Sequence, residues 1–170
     1  MPDLPPDLSR FSLDEIEQLV ADKKTPPVES WNPPYRGHSN MRIMRDGRWL
    51  HEGGEITRET MIRLFSSILR REGDGSYCLV TPAERVTIDV DDAPFVAVEV
   101  KNSGKGKVRT LAFRLLTGDM VIAGAAHPLR FETTEDGPSP YVMVRGRMEA
   151  LIARPVFYEL AELALEEANE

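Results

Sequence analysis

Apolar positions along this chain recur with two periods, and the change from one to the other organises it. Leu13, Ile16, Leu19 and Val20 fall at helical spacing. Ser12 stands as an N-cap before them, with Glu15 three residues on to complete a capping box and Phe11 with Ile16 as a hydrophobic staple. Thr25-Pro26-Pro27 stops that helix. A second helix is predicted where Met61, Leu64, Phe65, Ile68 and Leu69 share one face and Arg63, Ser66, Ser67 and Arg70 take the other. Thr57 is its expected N-cap, and Gly73-Asp74-Gly75 its end. A third opens at Pro155, with Val156, Phe157, Leu160, Leu163 and Ala164 inward and Glu159, Glu162, Glu166 and Glu167 outward.

Elsewhere the pattern is that of strands. Asp46-Gly47 between Met41–Arg45 and Arg48–His51 predicts a hairpin with a type I′ turn. Strands are expected at 77–81, 85–90, 95–101, 108–116, 120–122, 129–133, 141–145 and 148–152. Residues 1–10 read as a flexible lead. The proline-rich stretch 25–40, with Trp31 and Tyr35, reads as a strap packed across it. Two segments repeat. Tyr77-Cys78-Leu79-Val80 with Ile88 matches Tyr141-Val142-Met143-Val144 with Ile152, 64 positions on. Gly47-x-Trp49-x-x-x-Gly53 echoes Gly118-x-Met120-x-x-x-Gly124 at an offset of 71. Chance likeness between Val- and Tyr-rich strands is the alternative.

Composition narrows the function classes. In 170 residues, 41% hydrophobic side chains suffice for one core, and the net charge of −7 argues against nucleic acid polymers or anionic membranes as partners. No run approaches the roughly 18 apolar residues of a membrane span. The N-terminus lacks the pattern of a signal peptide. Cys78 is the single cysteine, which excludes an intrachain disulfide and points to a reducing compartment, the cytoplasm.

Familiar chemistry does not surface. His38, His51 and His127 have no zinc-ligand spacing. Asp89-x-Asp91-Asp92 opens like a calcium loop but carries Pro94 and Val100 where glycine and glutamate belong. Gly104-Lys105-Gly106-Lys107 runs into Val108 and a strand rather than into a helix, so it is not a phosphate loop. No nucleophile elbow is present, and Cys78 cannot be placed beside a histidine from spacing alone. No catalytic residue, metal or cofactor is therefore assigned. Two features remain. Gly53-Gly54-Glu55-Ile56-Thr57-Arg58 leads into the second helix, a place that suits an anion, or else is plain turn chemistry. Tyr141-x-Met143-x-Arg145-x-Arg147 puts an aromatic and two arginines on one sheet face, to stack a base and hold a phosphate or simply to meet solvent.

The residues Trp31-Asn32-Pro33-Pro34, Ile43-Met44-Arg45-Asp46-Gly47-x-Trp49, Thr81-Pro82-x-Glu84, Asp92-Ala93-Pro94-Phe95, His127-Pro128-Leu129 and Arg154-Pro155-Val156-x-Tyr158-Glu159-Leu160 resemble the bacterial domain-of-unknown-function family 1285, over about residues 12 to 165. The resemblance implies a duplicated core and a second half like a pleckstrin-homology barrel. It also implies a ligand groove between the halves, for a nucleotide-like molecule, and a role in signal transduction. No catalytic residues carry over.

The expected architecture is thus α+β, with antiparallel strands and a few helices in two related halves, 12–90 and 91–165. The expected function is a non-enzymatic module that binds a small nucleotide-like anion between the halves. Arg58 and Arg145 would hold the anion, Tyr141, Trp31 or Trp49 would cover a base, and Thr81 and Glu84 would read ribose or base edges. A protein-interaction or homo-oligomeric module, docking through the acidic last helix and the proline-rich strap, is the rival reading. An enzyme using Cys78 or a His–carboxylate pair is the third.

Overall fold

The computed structural model describes residues 8–135 and 137–169. Of the expected lead, residues 1–7 lie outside the described residues. Leu8–Arg10 form a 3₁₀ turn that is part of the core: Leu8 is buried beside Ile16 and Ala112, and its N–H donates to Glu99 Oε1 at 2.7 Å. Helix α1 spans Leu13–Asp22 with the full Ser12–Glu15 capping box. The strap follows. Val28 packs with Cys78 and Val80, and Trp31 lies against them.

Among the described residues twelve strands form two six-stranded sheets, one of them curled into a half-barrel. The first holds β1 Tyr35–Ile43, β2 Trp49–His51, β3 Gly54–Ile56, β4 Leu69–Arg71, β5 Tyr77–Val80 and β6 Glu84–Val90. The second holds β7 Phe95–Ser103, β8 Thr110–Leu115, β9 Met120–Ile122, β10 Leu129–Thr134, β11 Gly137–Arg145 and β12 Met148–Ile152. Their orders are β3-β2-β1-β6-β5-β4 and β10-β11-β12-β7-β8-β9. Reading the second order from its other end, each strand of one sheet meets its counterpart in the other, β1 with β7 through β6 with β12. In both sheets the central pair is parallel (β1 with β6, β12 with β7) and every other ladder is antiparallel. The chain is a duplicated α+β fold.

This equivalence sorts the two sequence echoes. The offset of 64 carries β5 onto β11 and β6 onto β12, which are counterparts. The offset of 71 carries Trp49 of β2 onto Met120 of β9, whose counterpart is β3, so that echo is not structural. The central parallel pairs stand beside the antiparallel strands that the sequence predicts. Parallel neighbours are joined by long connections, which leave no turn signal in the sequence.

Helix α2, Glu59–Ser67, is shorter than its apolar stripe and differently phased. Met61 and Leu64 are exposed, whereas Ser66 is buried. Leu69 and Arg70, expected on the helix, leave it as β4 and pair with Leu79 and Cys78 of β5. Arg70, placed on a polar face by spacing, is only 8% exposed. The N-cap is Arg58 rather than Thr57, with no side-chain capping bond. In the β1–β2 connection only Gly47 has positive φ, at 94°, so the turn is not type I′, which needs two such residues. Helix α3, Arg154–Ala168, starts at Ala153 as N-cap with Pro155 in its first turn.

One core joins the halves. Ile43, Trp49, Leu69 and Leu79 from the first sheet pack in the same cluster as Phe95, Phe113, Val142 and Ile152 from the second. Among the described residues no helix is long and apolar enough to cross a membrane.

Candidate functional site

The duplicated strands leave a groove of about 500 Å³ where the first half's hairpin tip approaches the start of α3. One wall is Met44, Arg45 and Asp46, with Asp91 from the segment joining the halves. The floor and far wall are Val96 and Val98 of β7, Leu151 and Ile152 of β12, Pro138–Pro140 of β11 and Phe157 of α3. The floor is apolar because β7 and β12 are the central strands of their sheet, where both neighbours are strands and side chains are buried.

Charges sit at the rim. Arg45 Nη1 lies 2.9 Å from Asp92 Oδ2 as an ion pair, outside hydrogen-bond alignment, and Nη2 donates to Ser139 Oγ at 3.3 Å. Asp92 Oδ1 accepts from the Tyr141 hydroxyl at 2.7 Å. The Arg130 guanidinium covers the Tyr141 ring at 4.6 Å and holds Glu149 with two bonds of 2.8 and 2.9 Å. Burial, then the bond to Asp92, pushes the Tyr141 phenol up to about 12. The acids of the groove are already engaged, Asp46 by Arg48 at 2.8 Å and Asp91 by Arg42. Arg154 is exposed and, among the described residues, has no side-chain partner. It stands in the first turn of α3, whose N-cap supplies no side-chain acceptor. Free helix-start N–H groups and an unpaired guanidinium favour an anion there.

The seven residues singled out by sequence do not share a cavity. Tyr141 is buried in β11 and reaches the groove only through Asp92 and Arg45. Arg145 spends its donors between the halves. It donates to Ser66 O at 2.6 Å, sits 3.7 Å from Asp119 and lies over the Phe95 ring at 5.1 Å. It also lines a third, smaller hollow beside the strap. Trp49 is 1% exposed and stacks on Phe65 at 6.3 Å between ring centres. Trp31 is half-buried and gives its carbonyl to Arg70 Nη1 at 2.7 Å. Thr81 and Glu84 close the β5–β6 turn: Thr81 Oγ1 accepts from the N–H groups of Ala83 and Glu84, both at 3.2 Å. Arg58 is exposed at the N-cap of α2.

The reading missed Arg45, Ser139 and Arg154. Arg154 was within reach, because the argument that singled out Arg58 at a helix start applies equally to Arg154-Pro155. Arg45 was not, since what gives it a role is Asp92 and Ser139, distant in sequence.

Nucleophile chemistry finds no support in these contacts. The Cys78 thiol donates to Glu72 Oε1 at 2.9 Å and is pushed up to about 12 by burial and by that carboxylate. His127 Nδ1 contacts Met143 O at 2.9 Å and His38 Nδ1 contacts Thr87 Oγ1 at 2.5 Å. Among the described residues no three His, Cys, Asp or Glu side chains gather as a metal site.

Comparison with known proteins agrees with this two-part architecture. The family model "Domain of unknown function (DUF1285), N-terminal domain" matches residues 26–93, and "Protein of unknown function (DUF1285), C-terminal domain" matches residues 94–170. A DUF1285 family protein from Silicibacter pomeroyi DSS-3, known as a crystal structure, is 46% identical with a TM-score of 0.79, over 89% of this chain and 84% of that one. A DUF1285 family protein from Shewanella baltica OS155 shares the fold at 23% identity and a TM-score of 0.56, over 72% of this chain and 90% of that one. No curated protein matches. The chain belongs to the DUF1285 family, whose description assigns no function.

Proposed function

We propose that this DUF1285 protein is a binding module that takes a small nucleotide-like anion in the groove between its halves, in the service of signal transduction. The observation that carries this reading is the unpaired Arg154 at the uncapped start of α3, on the rim of a groove of about 500 Å³. That size falls within the range of small-molecule sites, and an apolar floor with few polar groups is their usual composition. The anionic group sits on the α3 N-terminus and Arg154. Arg45, held by Asp92 and Ser139, presents its remaining donors from the opposite wall. Met44 and Phe157 offer flat apolar surface for a base.

A thermal-shift screen of nucleotides and phosphorylated metabolites tests it. A ligand at 100 times its dissociation constant adds about 2.7 kcal/mol, which at about 2–4 °C per kcal/mol is a rise of roughly 5–11 °C. The shift should vanish in Arg45→Ala/Arg154→Ala. No shift from any compound at millimolar concentration removes the reading, and a shift that survives the double variant removes the site.

A further inference from the structure

A second cavity of about 360 Å³ lies on the other flank of the β1–β2 hairpin tip, and nothing in the groove reading uses it. Trp49, Ile56 and Ile62 line it from the first half, and Leu116 from the second, so most of its surface is apolar. Two opposite charges also line it, Glu59 and Arg63, one turn apart on α2. That spacing sets side chains side by side on a helix surface, about 5–6 Å apart at Cβ. Among the described residues neither has an ion pair or a side-chain hydrogen bond. Arg63 is only partly exposed, and its guanidinium is left to solvent with no protein acceptor. From the second half, Arg114 donates Nε to Glu99 Oε1 at 3.0 Å, and among the described residues neither of its Nη groups makes a hydrogen bond. The other acid of the cavity, Glu55, is 3.7 Å from Arg48.

We propose that this cavity binds a free α-amino acid with an apolar side chain. Its carboxylate takes the fork of Arg63, with the Nη groups of Arg114 close by. Its ammonium takes the Glu59 carboxylate. The hydrocarbon side chain lies on Ile56, Ile62 and Leu116. A zwitterion fits where a simple anion does not. A carboxylate or phosphate alone would meet Arg63 but leave Glu59 beside it as a like charge, and an amine alone would leave Arg63 unpaired. An amino acid offers its two charges on adjacent carbons, matching two side chains one helical turn apart. The cations proposed to hold the anion in the groove, Arg45 and Arg154, take no part here.

Isothermal titration of the full chain decides it, with L-leucine, L-methionine and L-phenylalanine as probes. The single-charge analogues of leucine, 3-methylbutylamine and 4-methylpentanoate, are the controls. At least one amino acid should bind, and for leucine both analogues should be at least about tenfold weaker. Arg63→Ala and Glu59→Gln should each weaken the amino acid by about tenfold or more, whereas Glu59→Gln should strengthen 4-methylpentanoate by removing the like charge beside its carboxylate. Both side chains lack partners, so both variants should fold, and circular dichroism checks that they do. Arg154→Ala should leave amino-acid binding intact, which separates this site from the groove. No heat from any of the three amino acids at about 10 mM, equal affinity for 4-methylpentanoate and leucine, or full binding by folded Arg63→Ala would each overturn the proposal.

Discussion

Arg71 and Arg147 hold each other's backbone: Arg71 Nη1 donates to Arg147 O at 3.0 Å, and Arg147 Nη2 donates to Arg71 O at 3.0 Å. Arg71 ends β4 in the first half and Arg147 sits in the β11–β12 turn of the second, so the exchange ties the halves at an exposed seam. It also fixes Arg147 in the left-handed region, at φ 64°, where a side chain is disfavoured.

Replacing Arg147 therefore separates two effects. Arg147→Ala loses the bond its own guanidinium donates, keeps the carbonyl that Arg71 reaches and keeps the backbone strain, and should destabilise by about 1 kcal/mol, the value of an ordinary solvated hydrogen bond. Arg147→Gly loses the same single bond but relieves the left-handed conformation, worth roughly 1 kcal/mol. The glycine variant should thus be more stable than the alanine variant and close to the parent. Urea denaturation of the three proteins measures it. Equal midpoints for the two variants would show that the turn carries no strain.

Arg70 is a buried cation with three protein acceptors. Its Nη1 donates to Val28 O at 2.8 Å and Trp31 O at 2.7 Å, while Nε donates to Glu72 Oε1 at 2.7 Å. It thereby pins the strap onto β4 and β5. Arg70→Met should cost about 1–3 kcal/mol, because it leaves two carbonyls without their donor, while Glu72 keeps Arg85 and the Cys78 thiol. Arg70→Lys supplies charge without the fork and should recover only part of that. Loss of the strap should also expose Trp31, read as a red shift of fluorescence in the folded variant. Unchanged stability in Arg70→Met would mean that the strap is held by Val28 and Trp31 packing alone.

Arg70 also marks where sequence reasoning reached its limit. The capping box of α1, the hairpin at Asp46-Gly47 and the Pro155 start of α3 were legible, because each rests on residues within a few positions of one another. The 64-residue echo was legible because it compares the chain with itself. Leu69 and Arg70 fit the helical spacing of Met61–Ile68, and only pairing with β5 draws them into a strand. The parallel seams depend on contacts across the whole length of each half. The candidate site depends on them too: Arg45 gains its role from Asp92 and Ser139, and Arg63 becomes notable only once structure shows that nothing answers its charge.

Tyr141 makes stability depend on alkaline pH. Its phenol is raised from the ordinary value of 10 to about 12, chiefly by burial and then by the bond to Asp92. The folded state thus binds the proton more tightly than the unfolded chain. The contribution is complete below pH 10 and is lost as pH rises through about 12. Tyr141→Phe should cost about 1–3 kcal/mol at neutral pH, since Asp92 loses a buried donor, and should flatten the decline above pH 10. Cys78, raised in the same direction from 9.0 to about 12, leaves a residual slope in the variant. Denaturation midpoints from pH 8 to about 12 compare the two. Parallel curves would mean that Tyr141 does not titrate with folding.

The wall between the two cavities rests on Gly47. The groove touches Met44–Asp46 on one flank of the hairpin tip, and the second cavity touches Gly47–Trp49 on the other. At Gly47, with φ at 94°, a Cβ would stand 2.6 Å from Leu116 Cδ2 and 3.1 Å from Val96 Cγ2. Leu116 is half-exposed and able to swing, whereas Val96 is buried and branched, so relief must come from moving the tip itself. Gly53 is the matched control. Its φ is 86°, and a Cβ there meets nothing within 4 Å. Gly53→Ala should cost only the left-handed backbone penalty, about 1–2 kcal/mol. Gly47→Ala adds overpacking of roughly 1–3 kcal/mol. The difference between the two midpoints in urea isolates the contact. Because the tip carries Arg45 on one side and Arg48 on the other, Gly47→Ala should also weaken ligand binding in both cavities, while Gly53→Ala leaves the groove untouched. Equal destabilisation by the two variants would show that Leu116 absorbs the methyl group, and that the tip is not the rigid partition its packing describes.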